Sequence, residues 1–80
     1  MEIDTGDKVM VIPNLTSGGR EIYGVFVNER MLAYAGQIVT IFDYMGRTND
    51  VETFLIREDR TEWLWSEKMF ISIQNNIKKL

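Results

Sequence analysis

The 80-residue sequence contains no cysteine, no histidine and only one proline. Without cysteine there is no disulfide, no thiolate metal ligand and no thiol nucleophile. Without histidine, the side chain best matched to proton transfer near neutral pH is missing, and so is the usual zinc ligand. No apolar run approaches the roughly 18 residues that a membrane span needs. The opening MEIDTGDKVM does not read as a signal peptide. The expectation is a non-enzymatic chain with no metal, no cofactor and no membrane association.

What is present describes a small globular domain. The hydrophobic fraction is 45% and the charged fraction 26%, which is ordinary for such chains and unlike disorder. At this length folding buries only roughly 60–65% of the surface of the unfolded chain. The expected organisation is one domain over residues 1–80, with its core at about 6–73 and a polar tail at 74–80. Four Phe, three Tyr and two Trp supply the bulk for a single core. The net charge is −3, unevenly spread. Residues 1–67 carry 12 acidic and 6 basic side chains, while residues 68–80 carry Lys68, Lys78 and Lys79 and no acid. An acidic body matches the phosphate backbone poorly and suits a basic protein surface or plain solubility.

Along the chain, Gly6-Asp7 reads as a turn and 8–12 as strand one, with Val9 and Val11 inward and Pro13 ending it. Residues 13–24 are dense in turn formers and read as a long loop carrying Arg20, Glu21 and Tyr23. In 25–35, Asn28 caps a short helix with Met31, Leu32 and Ala35 on one side, and Gly36 closes it. Residues 37–44 are the clearest strand. Val39 and Ile41 share one face; Ile38, Thr40, Phe42 and Tyr44 share the other, and both faces are expected to be covered at least in part. A turn at 45–50 leads to strand three at 51–57, with Phe54 and Ile56 opposite Leu55. Glu58-Asp59-Arg60 reads as a tight hairpin turn into strand four at 61–66, where Trp63 and Trp65 alternate with Leu64. A helical turn at 67–69, a short strand at 70–73, and a tail with Ile77 and Leu80 as anchors follow.

Five short strands, turn signals every 8–12 residues and one long early loop predict an all-β fold: a small five-stranded SH3-like antiparallel barrel with one short helical turn. Three segments carry a family resemblance. They are Gly6-Asp7-Lys8-Val9, then Met31-Leu32 followed by Tyr34-Ala35-Gly36, and Trp65-Ser66-Glu67-Lys68-Met69-Phe70. This order resembles small SH3-like barrel proteins of phages and prophages of Gram-positive bacteria, and more loosely the MIB/HERC2 type of SH3-like module. About a dozen positions within residues 6–70 carry the likeness. It implies structural work for these residues, with Trp65 and Met69 filling the barrel end, and brings no catalytic or binding residue with it.

Candidate chemistry is thin. Glu58 with Asp59, and Asp50 with Glu52, pair carboxylates near turns. Such pairs can hold a cation or act as acid and base, but solvated turns use them far more often. Asp50-x-Glu52 lacks the further oxygen ligands of a calcium loop. Ser17, Ser66 and Ser72 have no histidine partner, and Gly18-Gly19 is not followed by the residues of a phosphate loop. Aromatics are the informative class. Trp63 and Trp65 are either both core, or Trp65 closes the core while Trp63 sits at its rim beside Tyr44 or Tyr23. Exposed rings near acids suit a groove for an extended or basic segment. The expected partner-binding residues are therefore Tyr23, Phe42, Tyr44 and Trp63, surrounded by Asp50, Glu52, Glu58, Asp59 and Glu62.

The expected function is a protein–protein interaction module with an unidentified protein partner. The resemblance implies a phage or prophage accessory protein in the bacterial cytoplasm, blocking a host factor such as a defence nuclease in the manner of an anti-CRISPR protein. Three alternatives stand beside it. One is nucleic-acid binding, against which the acidic body argues. Another is imitation of a phosphate backbone by Asp43, Asp50, Glu52, Glu58, Asp59 and Glu62. The third is a structural role with a homodimer interface on strand two.

Overall fold

Period-two alternation of β-branched residues sets the first strand, β1 (Lys8–Val11), in which Val9 and Val11 are buried. The computed structural model describes residues 3–73. After β1 the chain runs through a long connection to α1 (Arg20–Tyr23) and a 3-10 helix (Glu29–Tyr34). Asn28 caps the latter, its Oδ1 accepting from the Met31 N–H at 3.1 Å. Then come β2 (Ile38–Thr48), β3 (Val51–Ile56), β4 (Trp65–Ser66), a 3-10 turn (Glu67–Met69) and β5 (Phe70–Ser72). All pairings are antiparallel, in one open sheet of order β4-β3-β2-β1-β5.

β2 joins the two halves of this sheet. Its first residues pair with β1, as in Val9 opposite Val39 and Met10 opposite Ile38. From Ile41 onward it pairs with β3. Register shifts at Ile41/Asp43 and Tyr44/Gly46 bend it. Its inner face, Val39 and Ile41, meets Val9, Val11, Phe54 and Ile56 in the core. Trp65 and Met69 are fully buried at the centre of that core. The Trp65 ring stacks on Phe70 at 6.0 Å and takes the edge of Tyr34 at 5.9 Å.

Several expectations need correction. β2 does not stop at Tyr44. The stretch 45–50 was expected to turn, but Gly46 (φ +98°) is a bulge glycine whose carbonyl accepts from Thr53 Oγ1 at 2.7 Å. The strand continues to Thr48, and the turn is Asn49-Asp50 alone, both with positive φ. Strand four is Trp65–Ser66 only, because residues 57–64 form a turn-rich connection in place of a three-residue tip. Among the described residues there are three short helical segments where the barrel reading named one, and α1 lies inside the expected loop. The outer face of β2 is covered in part: Thr40 is buried under Glu58, while Ile38, Phe42 and Tyr44 are each about half exposed. The tail, with its expected anchors Ile77 and Leu80, lies outside the described residues.

Candidate functional site

Val25-Phe26-Val27 alternates, and Val25 and Val27 are buried. Phe26 between them must face the other way, and it is 65% exposed. It lines a groove of about 410 Å³ between the β1–β2 connection, the tip of the β2–β3 hairpin and the β3–β4 connection. Trp63 and Leu64 form its far wall, and Arg20 and Glu62, both exposed, contribute the charges. Gly24 floors the groove and ties its sides together. Its N–H closes α1 on the Arg20 carbonyl at 2.8 Å, and its own carbonyl accepts from Asn49 Nδ2 at 3.1 Å.

The β3–β4 wall is shaped by Asp59, which is 5% exposed. Its Oδ2 accepts from the Trp65 indole N–H at 2.9 Å and, more loosely, from the Trp63 backbone N–H at 3.4 Å. Its Oδ1 accepts from the Glu62 N–H at 3.3 Å. Asp59 is thus an internal brace. Glu58 is engaged as well. Its carboxylate accepts from the Thr40 N–H at 2.8 and 3.0 Å and from Thr40 Oγ1 at 3.0 Å, in place of a strand partner. Lys8 Nζ donates to the same hydroxyl at 2.8 Å.

Of the nine expected contact residues, only Trp63 and Glu62 line the groove. Trp63 is half-buried against the core and Trp65 fully buried, which is the rim arrangement. Its neighbours there are neither Tyr44 nor Tyr23. Tyr23 is a core residue; its hydroxyl accepts from the Thr16 N–H at 3.2 Å and does not face solvent. Asp50 is an exposed hairpin-turn residue whose carbonyl accepts from Arg47 at 3.2 Å. Phe42 sits apart, in a shallow hollow of about 240 Å³ with Thr5, Gly6, Ile41 and Arg57.

Tyr44 and Glu52 are brought together on the hairpin surface. The Tyr44 hydroxyl donates to Glu52 Oε1, and Arg47 donates to Glu52 Oε2 at 2.5 Å. The bond from Tyr44, then that from Arg47, holds the Glu52 carboxyl below its ordinary range. The same bond, with the negative charge beside it, raises the Tyr44 phenol above its own. Tyr44 also packs on Phe54, ring centres 5.5 Å apart. It is a half-exposed but ordered ring.

Sequence reasoning missed Phe26 and Leu64, the two most exposed apolar residues of the groove. The Val-Phe-Val alternation was the available signal for Phe26. It also missed Ile71, which continues an outer-face row with Met10 and Ile38. Among the described residues, no group of three or more acids is placed to hold a metal ion. No helix among them is long and apolar enough to cross a membrane. Comparison with protein-family models, with curated proteins and with solved structures gave no match.

Proposed function

We propose that the chain is a non-catalytic SH3-like barrel that binds a segment of another protein in the groove between Phe26 and Trp63. The barrel reading is supported by the strand order β4-β3-β2-β1-β5, the long β1–β2 connection, the bent β2 shared by both halves, and the 3-10 turn before β5. The binding reading rests on one observation. A largely exposed Phe and a half-buried Trp line one groove, with Arg20 and Glu62 beside them. Rings of this kind, partly desolvated and flanked by charge, are the usual anchors of protein interfaces.

The resemblance to phage and prophage barrel proteins leads us to place the partner among host proteins of the bacterial cytoplasm, a defence nuclease among them. Action there is steric occlusion, with rings anchoring and charges orienting the complex. The test is a tagged pull-down from bacterial lysate, with and without nuclease, run beside Phe26→Ala and Trp63→Ala. One dominant protein that survives nuclease and is lost with either substitution supports the reading. A signal that vanishes with nuclease replaces it with nucleic-acid binding. Retention that ignores both substitutions moves the site elsewhere.

Self-association is a second reading, favoured by the half-exposed Ile38, Phe42 and Met45 on β2 and by Ile71 on β5. It calls for a dimer by light scattering that Ile38→Lys dissociates. A monomer at high concentration rejects it.

A further inference from the structure

The β3–β4 connection holds the most costly backbone in the described chain. Arg60 and Thr61 are consecutive non-glycine residues with φ of 59° and 57°. Positive φ is uncommon for any side chain and an outlier for a β-branched one such as Thr61. Such conformations persist only where the surroundings over-determine them. Here the Thr61 N–H is fixed on the Ile56 carbonyl at 3.1 Å and the Arg60 N–H on the Arg57 carbonyl at 3.0 Å. Beneath them lies the buried Asp59 carboxylate, accepting from the Glu62 and Trp63 backbone N–H groups and from the Trp65 indole N–H.

The donor geometry explains the residue type. Two backbone N–H groups and one indole N–H converge on two oxygen atoms from different sides. Only a carboxylate offers two acceptors and no donor. An asparagine, whichever way its amide is turned, sets an NH₂ against an N–H donor. A carboxylate is expensive to bury, and among the described residues no cation pairs with this one. Its cost and the strain of the turn have one shared product: Glu62, Trp63 and Leu64 leave the turn along the groove wall.

We infer that Asp59 is the positioning residue of the groove: it clamps the strained 57–62 turn so that Trp63 stands as a fixed wall opposite Phe26. This rests on the groove being the binding site, but it concerns the rigidity of that wall and can be read without any partner. A preformed wall spares the ordering entropy that a loose tryptophan would lose on binding.

The experiment compares four proteins: wild type, Asp59→Asn, Thr61→Gly and the double variant. Two quantities are read, Tm and the acrylamide quenching of tryptophan fluorescence far below Tm. Trp65 is fully buried, so quenching of the folded state reports Trp63. Thr61→Gly relieves the positive φ and should raise Tm by about 4–8 °C with quenching unchanged. Asp59→Asn should lower Tm by roughly 5–15 °C and raise quenching about twofold or more. The double variant separates the roles. If Asp59 positions Trp63, glycine at 61 recovers about 4–8 °C of Tm while quenching stays high. If Asp59 only stabilises, quenching falls back as Tm recovers, and the inference is overturned. Unchanged quenching in Asp59→Asn overturns it as well. Should Asp59→Asn alone fail to fold, the Thr61→Gly background supplies the comparison, and equal quenching with and without Asp59 is the refuting result. A firmly held Trp63 in a protein that retains no partner would sink the binding proposal and leave this inference standing.

Discussion

Adding one methyl group at Gly24 tests whether the floor of the groove is as tightly built as its geometry implies. Gly24 has φ +84°, and a Cβ there would lie 2.5 and 2.9 Å from the two methyl carbons of Val51. Val51 is 1% exposed and begins β3, so neither its side chain nor its backbone has room to retreat. Two costs follow. A left-handed conformation costs an L-residue about 1–2 kcal/mol. Overpacking a closed site costs about 1–3 kcal/mol more. Gly24→Ala should therefore lose about 2–5 kcal/mol, from a domain whose whole stability at this length is roughly 4–12 kcal/mol. Gly46→Ala is the internal control. Its φ is +98°, but nothing lies within 4 Å of an added Cβ, so only the conformational cost of about 1–2 kcal/mol applies. Urea unfolding followed by circular dichroism gives both values on one scale, with the denaturant slope checked for constancy. Gly24→Ala should fall below Gly46→Ala by about 1–3 kcal/mol, the steric share. Equal losses would refute the reasoning. They would mean that Val51 repacks freely and that the hairpin tip is not clamped against the β1–β2 connection.

The two tryptophans should separate cleanly in the same assay. Trp65→Ala is expected to cost about 3–5 kcal/mol, while Trp63→Ala costs about 1–2 kcal/mol and acts chiefly on partner retention; similar losses for both would make Trp63 a core residue. The Tyr44–Glu52 bond makes a titration prediction whose sign is fixed. Glu52 is lowered, so its contribution is present above the ordinary carboxylate range and fades as pH falls through the folded value. Tyr44 is raised, so its contribution is present below the ordinary tyrosine range and fades as pH rises through the folded value. Ultraviolet difference titration should show the Tyr44 phenol ionising late, and Glu52→Gln should bring it earlier; an unmoved Tyr44 midpoint rejects the bond. Glu58→Gln should weaken the grip on Thr40 by about 1 kcal/mol without changing partner retention; lost retention would restore Glu58 as a contact residue.

The strands were legible where burial on one face imposes period two. Val9 and Val11 read as inward and Val39/Ile41 and Phe54/Ile56 as same-face pairs in the sequence pattern, and all six are core in the structure. The cap at Asn28 and the reversal at Gly36, φ +77°, were also legible, because each depends on chemistry local to a few residues. What misled was turn chemistry with two uses. Gly46 looks the same in sequence whether it ends a strand or bulges it. The choice is made by Thr53 on the neighbouring strand, whose hydroxyl reaches the Gly46 carbonyl. Strand four failed for a related reason. Trp63-Leu64-Trp65 alternates like a strand, but the ladder reaches only Trp65 and Ser66, because the Asp59 brace holds the chain before them in another shape.

The acids show why a site is harder to read than a fold. In sequence, Asp50, Glu52, Glu58, Asp59 and Glu62 form one acidic stretch around a hairpin, and proximity along the chain makes them look like one surface. In three dimensions the N–H and O–H donors facing each carboxylate sort them. Asp59 faces an indole and two backbone amides and goes inside. Glu58 faces the open end of a strand ladder and closes it. Glu52 faces a phenol and a guanidinium and is neutralised at the surface. Asp50, Glu58 and Glu62 from that stretch, and Asp43 on β2, are exposed; Glu58 is tied to Thr40, and of these acids Glu62 lines the groove. A charged array that imitates a phosphate backbone needs regularly spaced free carboxylates, and the exposed acids Asp43, Asp50, Glu58 and Glu62 are spread over a strand, a hairpin turn and the β3–β4 connection. The aromatic wall therefore carries the binding proposal, and partner retention should depend more on Phe26 and Trp63 than on salt. A steep loss of retention between low and physiological salt, unaltered by Phe26→Ala, would reverse that order and return the acids to the centre of the site.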